Sequence, residues 1–188
     1  VLSVPSLTFS GKELPLILSK KPRELIRLFE NQFIYSSSFE QEERELICSV
    51  SDFVVKAVDG HGGTQVFSIG EDKRKVLAGI GEHDFVLQPM VGNGSLTESR
   101  LSRDVRVYVV GNKIFAAVMR RSSGDFRTNF SLGGEVCRYE ISNNELSIVK
   151  AVLDGMEFGM VGIDFIVDDR RRLILNEIED VAGARMLY

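Results

Sequence analysis

The sequence has few of the residues that build covalent or metal-bound frameworks. Its 188 residues include two cysteines, Cys48 and Cys137, and two histidines, His61 and His83. The cysteines lie in unrelated contexts, so we expect neither a disulfide framework nor a zinc site, and a reducing, cytoplasmic setting fits. Two histidines also exclude a histidine-rich metal site.

The sequence also lacks a long hydrophobic run and a large excess of one charge. No segment approaches the roughly 20 apolar residues of a membrane-spanning helix, and no signal-peptide pattern is present. The net charge of −4 gives no sign of a general nucleic-acid or membrane-surface binder. With 44% hydrophobic residues, the chain can bury a core as one domain or two small subdomains. Because it opens on Val1 without Met, we expect it to be part of a longer protein.

Strand and helix patterns are mixed in the first half of the sequence. Two helices are predicted, over residues 20–31 and 39–50, and a weak helix or turn over residues 71–81. Three strands are predicted, over residues 53–58, 65–69 and 84–91. Residues 1–18 are predicted to form extended segments and turns, and Pro22 suits the first turn of a helix.

The second half follows a polar linker, residues 92–103, in which we place a subdomain boundary. The predicted subdomains are residues 1–91 and 92–188. Strands 104–110 and 113–119 flank Gly111-Asn112, a dipeptide typical of a tight β-hairpin turn. A helix capped by Asn143 or Asn144 is predicted over residues 145–158. Because strands and helices do not alternate regularly, the sequence predicts an α+β fold.

The last predicted hairpin, residues 162–180, carries three acids on one face. Folding it about the polar cluster 169–172 places Asp164 opposite Glu177, with Glu179 on the same face. The same register pairs Val167 with Ile174 and Phe165 with Asn176. Opposed acids repel, and a hard cation such as Mg²⁺ between them would offset that repulsion. A solvated sheet face, with Arg170–Arg172 folded back as counter-ions, explains the same residues and stays open.

A second cluster combines a lysine within a predicted strand with a glycine-rich loop. Lys56 lies in the strand, and Gly60, Gly62 and Gly63 follow it. Glycines let backbone N–H groups approach an anion, so the cluster would hold a phosphate. The spacing is neither a Walker A motif nor a Rossmann fingerprint. Taken alone, the cluster is explained more simply by an edge-strand lysine beside an ordinary turn.

A third cluster is the polar loop 120–134, which contains Arg120, Arg121, Arg127 and Asn129. Guanidinium groups pair with phosphate or carboxylate oxygens through two parallel hydrogen bonds. A flexible, solvated loop explains the same composition. Together, however, the three clusters have the parts needed to handle a nucleoside triphosphate with its magnesium.

At these residues the chain resembles the ATP-grasp enzymes, in the branch of the ribosomal-protein glutamate ligases and glutathione synthetase. The matching stretches are Asp104 to Arg121, Gly124 to Asn129, Gly133-Gly134, Val161 to Asp164 and Leu175 to Glu179. The resemblance covers about residues 53–180 and is strongest in the second half. It implies a fold of two α+β subdomains that hold ATP between them.

The resemblance implies nucleotide-binding roles for residues of the first half. Lys56 would hold the α- and β-phosphates, and the loop with Gly60, Gly62 and Gly63 would close over them. Gln88, Met90 and Val91 would form the hinge that meets adenine through backbone groups. Pro89 stands where Glu is common in the family, and because proline lacks an N–H, the hinge donor must be Met90 or Val91.

For the second half, the resemblance implies ribose, phosphoryl and metal roles. Asp104 would lie on the ribose side, Arg127 and Asn129 would face the transferred phosphoryl group, and Arg120 would lie near the acyl intermediate. Asp164, Glu177 and Glu179 would hold one or two Mg²⁺, with Mn²⁺ as a substitute. Glu179 stands where the family usually has Asn and adds a negative charge. We find no match for the family's upstream lysine or for the substrate domain that precedes the grasp.

The implied activity is an ATP- and Mg²⁺-dependent ligation. A substrate carboxylate would attack the γ-phosphate of ATP, and an amine, or less often a thiol, would capture the acylphosphate. The alternatives are a phosphotransferase on the same fold, a nucleotide-binding module without catalysis, and a pure interaction domain. The acid, the acceptor and a homo-oligomeric state are left open, and no nucleic-acid or membrane partner is expected.

Overall fold

The computed structural model describes residues 1–33, 41–60, 62–92, 101–123, 127–128, 135–180, 182–183 and 185–187. The chain divides into two compact units. The first unit is Val4–Val91, and the second unit is Val1–Ser3 together with Gly92–Tyr188. Each unit contains an antiparallel sheet and at least one helix, so the predicted α+β class is confirmed.

The first unit contains a four-stranded sheet in the order β1-β4-β2-β3. Its strands are β1 (Leu7–Phe9), β2 (Phe53–Ala57), β3 (Val66–Ser68) and β4 (Phe85–Pro89). Its helices are α1 (Leu14–Ile17), α2 (Pro22–Phe33), α3 (Gln41–Ser49) and α4 (Lys73–Ile80), and a 3₁₀ turn spans Gly11–Glu13. Every predicted element of this half is found with shifted ends, although residues 39 and 40 of the second predicted helix lie outside the described residues.

The core of the first unit forms between its helices and the sheet. Pro22 opens α2, as predicted, and the helical period then buries Leu25 and Phe29. The ring of Phe29 stacks on that of Phe53 in β2 with centroids 5.7 Å apart. The short helix α1 was not predicted, because a single turn that buries Leu14 and Ile17 is too brief to show a helical period.

The second unit contains a five-stranded sheet in the order β7-β6-β5-β8-β9. Its strands are β5 (Leu101–Val110), β6 (Lys113–Ser123), β7 (Glu135–Arg138), β8 (Met160–Val167) and β9 (Leu173–Glu179). One helix, α5 (Asn143–Leu153), and a 3₁₀ turn at Arg185–Leu187 complete the described elements. Alternate residues Val105, Val107 and Val109 of β5 are fully buried in one core with Val149 of α5. The opposite face of the sheet is therefore left for the polar residues of the same strands.

Several details of the second unit differ from the sequence predictions. Residues 101–103 belong to β5 rather than to the linker, and β7 was not predicted. The helix α5 is capped by Ser142 rather than by Asn143 or Asn144, because Ser142 forms a capping box with Glu145. It ends at Leu153, short of residue 158. The Gly111-Asn112 turn is as predicted, with φ angles of 54° and 56°.

The first three residues extend the second unit at its edge strand β9. The Leu175 N–H donates to Leu2 O at 2.9 Å, and Ser3 forms a parallel bridge with Leu175. None of the helices in the described residues is both long and apolar enough to cross a membrane.

Candidate functional site

The three candidate metal-binding acids share one face of the sheet because β9 contains an irregularity. Near the turn Phe165 pairs with Leu175, but the next residue of β8, Asp164, pairs with Glu177. The register of the two strands therefore skips Asn176, as in a β-bulge. The predicted pair of Asp164 and Glu177 is confirmed. The predicted pairs of Phe165 with Asn176 and Val167 with Ile174 are wrong by one residue, because the bulge lies between them and the acids.

Asp164 is the centre of a buried ionic network on this face. It is 2% exposed and pairs through both oxygens with Arg106, from Nε to Oδ1 and from Nη2 to Oδ2, each at 2.6 Å. Its Oδ2 also accepts from Arg120 Nη2 at 2.8 Å. β5 lies between β6 and β8, so Arg106 and Arg120 approach the same carboxylate from neighbouring strands. Such two-pronged, charge-assisted pairs are among the strongest hydrogen bonds in proteins.

Asp104 extends the network toward β6. It receives Arg120 Nε at 2.6 Å and Nη2 at 2.7 Å, and the Thr128 hydroxyl donates to its Oδ2. Asp104 and Arg120 are direct partners in the β5–β6 register. The second unit thus brings together four predicted site residues that are far apart in sequence: Asp104, Arg120, Asp164 and Glu177.

The two buried acids are shifted in opposite directions. Burial would raise the pKa of Asp164, but hydrogen bonds from Arg106 and the charges of Arg120 and Arg106 outweigh it and hold the pKa below its usual value. Burial raises the pKa of Asp104, because its pairing with Arg120 only partly offsets the loss of solvent. Asp164 is therefore the acid whose ionised form the network favours more strongly.

Glu179 leaves one buried oxygen without a hydrogen-bond donor. Its Oε2 lies 2.7 Å from Arg106 Nη2. The two groups are close enough to form an ion pair, but they are not aligned for a hydrogen bond. Among the described residues, this oxygen therefore has no hydrogen-bond partner. Arg106 already offsets the charge of this oxygen, and its unused hydrogen-bonding capacity is open to a donor or a metal ion.

The carboxylates fit Mg²⁺ in their chemistry, since Mg²⁺ prefers carboxylate oxygens. Within the described parts of the chain, no three His, Cys, Asp or Glu side chains already form a metal-binding group. The roles of Asp164, Glu177 and Glu179 as metal ligands stay predictions. In the alternative explanation, Arg170–Arg172 fold back as counter-ions of the three acids. Of these arginines, Arg172 pairs through Nε with Asp168 at 2.8 Å.

The predicted phosphate-binding residues lie in the first unit. Lys56 is half-buried on β2, which pairs with β3 on one side and β4 on the other. β2 is therefore an inner strand, and the edge-strand explanation for Lys56 is wrong. In the following turn, Gly62 and Gly63 have φ angles of 67° and 74°, a conformation that glycine adopts without strain. Gly60 donates its N–H to Ala57 O at 3.2 Å.

The predicted adenine hinge lies at the end of β4. Gln88 is buried, and its Nε2 donates to Ser6 Oγ at 2.7 Å. The Met90 N–H donates to Asp52 O at 3.0 Å. Of the two predicted hinge donors, Met90 is thus already engaged, which favours the Val91 N–H for a nucleotide base.

The arginine loop is only partly described. Arg127 is half-buried and Thr128 is buried, whereas Asn129 lies outside the described residues. Arg106 and Thr128 are two members of the site that were not predicted from the sequence. Arg106 had a usable signal, because Asp104, Arg106 and Tyr108 alternate with buried valines along β5 and must share the polar face.

The chain matches the RimK-like ATP-grasp domain family over residues 17–187. It is 30% identical over 136 residues to the uncharacterized protein MG011 of Mycoplasma genitalium, covering 71% of this chain and 45% of that protein. It is 29% identical over 137 residues to a probable alpha-L-glutamate ligase of Xanthomonas campestris pv. campestris, covering 69% of this chain and 44% of that protein. The chain thus spans less than half the length of these relatives.

A solved structure of the ATP-grasp ligase PsnB, complexed with minimal precursor, Mg and ADP, has the same fold. The TM-score is 0.52 at 18% sequence identity, and the match covers 98% of this chain and 47% of that one. The predicted ATP-grasp fold is confirmed by this likeness and by the family match. With the match extending over residues 17–187, the chain belongs to the RimK-like ATP-grasp family.

Proposed function

We propose that the chain is the nucleotide-binding part of an ATP- and Mg²⁺-dependent ligase. The ligase would join a carboxylate to an amine, or less often to a thiol, through an acylphosphate. The observation that carries the proposal is the buried network of Asp104, Arg120, Asp164 and Arg106. Burying such charges costs several kcal/mol per ion before pairing, and costly buried charges with shifted pKa values cluster at functional sites.

In this proposal the carboxylates of Asp164, Glu177 and Glu179 hold Mg²⁺. The metal would offset negative charge on the ATP phosphates during phosphoryl transfer. The unsatisfied Oε2 of Glu179 supports this role, as does the presence of Mg with ADP in the PsnB complex. Mn²⁺, which accepts the same oxygen ligands, would substitute.

The remaining residues bind and orient ATP as the substrate. Lys56 and the loop with Gly60, Gly62 and Gly63 hold the phosphates, and the Val91 N–H donates to the base. Arg127 offsets charge on the transferred phosphoryl group, with Asn129 beside it. These roles need positioned charge rather than a side-chain nucleophile, as is usual for phosphoryl transfer.

Arg120 would act on the acyl side of the reaction. Its Nε and Nη2 are engaged with Asp104 and Asp164, and Nη1 takes no part in these pairs. The fixed guanidinium could donate Nη1 to the carbonyl oxygen of an acylphosphate without further ordering of the side chain. Similarity to a probable alpha-L-glutamate ligase makes glutamate the first substrate to test.

Calorimetric titration of a non-hydrolysable ATP analogue, with Mg²⁺ and then with EDTA, tests the nucleotide site. We expect binding that Mg²⁺ tightens. ADP release from ATP is then measured with glutamate and a panel of acids, each with and without amine acceptors. A ligated product with equimolar ADP is the expected result.

Other outcomes separate the alternatives. A stable phosphorylated product formed without an acceptor indicates a phosphotransferase. Nucleotide binding without ADP release under any condition indicates a binding module. Absence of nucleotide binding in both this chain and a longer polypeptide that contains it contradicts the proposal.

A further inference from the structure

One guanidinium joins the acids of two strands. Arg106 holds both oxygens of Asp164 on β8 at 2.6 Å, and its Nη2 also lies 2.7 Å from Glu179 Oε2 on β9. Arg106 is 7% exposed, so solvent does not compete for these contacts. The position of the two carboxylates relative to each other therefore depends on this one side chain.

The same contacts determine which lone pairs of Asp164 stay available. A carboxylate oxygen has about two acceptor directions. Asp164 Oδ2 accepts from both Arg106 and Arg120, whereas Oδ1 accepts from Arg106 Nε. Within the contacts of the described residues, Oδ1 keeps one acceptor direction, and the buried Oε2 of Glu179 has no hydrogen-bond donor. The site thus offers one defined oxygen from each acid.

Gly162 lies beside this arrangement. A Cβ at residue 162 would lie 3.4 Å from both Cδ and Nε of Arg106 and 3.0 Å from the Cβ of Ala182. Residue 162 is the partner of Glu179 in the β8–β9 register. A methyl group there would touch Cδ and Nε of Arg106 at ordinary contact distance and would be tight only against Ala182. The Arg106 atom that faces Glu179 is Nη2.

We propose that Arg106 is a positioning residue of the carboxylate site: it fixes the orientation in which Asp164 and Glu179 meet a divalent cation, and so sets the affinity for that cation. The inference rests on the proposed function, because it requires a divalent cation at these acids. It adds a residue to which the resemblance assigned no role.

Replacing Arg106 should change the affinity for the cation in the direction opposite to the one that simple electrostatics predicts. Removing a positive charge beside a cation site relieves repulsion and would strengthen cation binding if charge alone mattered. If Arg106 acts by orienting the acids, the same change weakens cation binding. Arg106→Lys separates the effect of charge from the effect of orientation, because lysine keeps the positive charge but cannot form the bidentate pair with Asp164.

The test measures how far Mn²⁺ tightens the binding of a non-hydrolysable ATP analogue, by calorimetry with Mn²⁺ and with EDTA. Variants Arg106→Gln and Arg106→Lys are compared with Arg103→Gln, a control that removes an exposed charge from the same strand. Thermal melts report whether each variant is folded. Loss of a group that orients metal ligands typically costs about 10- to 100-fold in metal affinity.

We expect the Mn²⁺ effect to fall by that factor in both Arg106 variants, with binding in EDTA unchanged. The control should keep the wild-type effect. If Arg106→Gln does not fold, Arg106→Lys decides the question. A wild-type or larger Mn²⁺ effect in the folded Arg106 variants overturns the inference but leaves the proposed function intact. Failure of both the wild-type chain and a longer polypeptide that contains it to bind the analogue overturns both.

Discussion

Asp164 and Glu177 lie directly opposite each other on β8 and β9, immediately beyond a bulge at which the register of the two strands skips Asn176. Side chains alternate between the faces of a strand, so one extra residue exchanges the faces for everything that follows it. If Asn176 paired with Asp164 in regular alternation, Glu177 and Glu179 would share the face of Leu175 and point toward the apolar core. The bulge therefore places both glutamates on the face that carries Arg106.

Replacing Asp164 with Asn should destabilise the protein strongly. The change leaves Arg106 and Arg120 buried with one negative charge fewer between them. Breaking a buried ion pair in this way typically costs about 3–5 kcal/mol. Urea unfolding followed by circular dichroism measures the loss, and a variant as stable as the wild type would contradict the central role of Asp164.

Glu177→Gln should separate metal binding from stability. Glu177 is exposed, and exposed ionic contacts contribute at most about 1 kcal/mol. We expect a near wild-type unfolding curve but a smaller effect of Mg²⁺ on the affinity for the ATP analogue. Glu157→Gln, at an exposed position of the same unit, is the control. An unchanged Mg²⁺ effect in Glu177→Gln would remove this residue from the proposed metal site.

Lys56→Ala and Arg127→Ala should each weaken nucleotide binding while leaving the fold intact. Each removes one charge-assisted contact to phosphate, worth about 1.5–3 kcal/mol, which corresponds to at least about tenfold in affinity. Calorimetry with the ATP analogue measures the effect. Lys12→Ala and Arg138→Ala remove exposed charges from the same respective units and should bind normally. Wild-type affinity in the Lys56 and Arg127 variants would count against the phosphate-binding roles.

Tyr139 should make stability sensitive to alkaline pH. Burial, followed by the hydrogen bond to Glu145 and the charge of that residue, raises the pKa of Tyr139 to about 12 from 10.0. The folded state thus holds the proton more tightly, and the associated stability is complete below pH 10 and is lost as the pH rises toward 12. Tyr139→Phe should be less stable at neutral pH by about 1 kcal/mol.

The alkaline loss should also be shallower in Tyr139→Phe than in the wild type. It should not vanish, because burial raises the pKa of Tyr108 as well. Unfolding free energies measured by urea titration from pH 8 to pH 12 give the two slopes. Equal slopes in the two proteins would show that Tyr139 does not contribute.

Asn112 should stabilise the second unit through its side chain as well as its backbone. Its Nδ2 donates to Leu153 O and Met156 O, and its Oδ1 accepts from the Phe158 N–H. Asn112→Ala loses these bonds and places alanine at a φ of 56°, which should cost about 2–4 kcal/mol. Asn112→Gly keeps the turn and isolates the hydrogen bonds, so it should cost less. Equal losses in the two variants would show that the backbone strain is negligible.

Local signals made much of the second unit predictable. The Gly111-Asn112 turn with alternating apolar strands determines the β5–β6 hairpin within one stretch of sequence. The capping box of Ser142 and Glu145 is also a local signal. The cap was predicted at Asn143 or Asn144 instead, because asparagine is an equally good helix cap. The inner position of Lys56 was not predictable in this way, because the pairing of β2 with β4 joins distant segments.

The ionic network depends on contacts between segments that are distant in sequence. Asp104, Arg120 and Asp164 each stand out in the sequence as candidate site residues, but no local pattern indicates that two arginines meet at one carboxylate. The two arginines reach the same carboxylate because β5 pairs with β8. These strands are separated in sequence by β6, β7 and α5, so tertiary packing determines their pairing. The bulge at Asn176 is likewise invisible in the alternation of residue types, although the pair of acids beyond it was predicted.

The pairing of the first residues with β9 has a consequence for the order of folding. The first unit, Val4–Val91, is continuous in sequence and can complete its core early in synthesis. Leu2 and Ser3 cannot pair with Leu175 until the whole stretch from Val4 to β9 has been synthesised. Until they do, the edge of β9 presents unpaired backbone groups to other chains. This pairing thus helps to protect the newly made protein from aggregation.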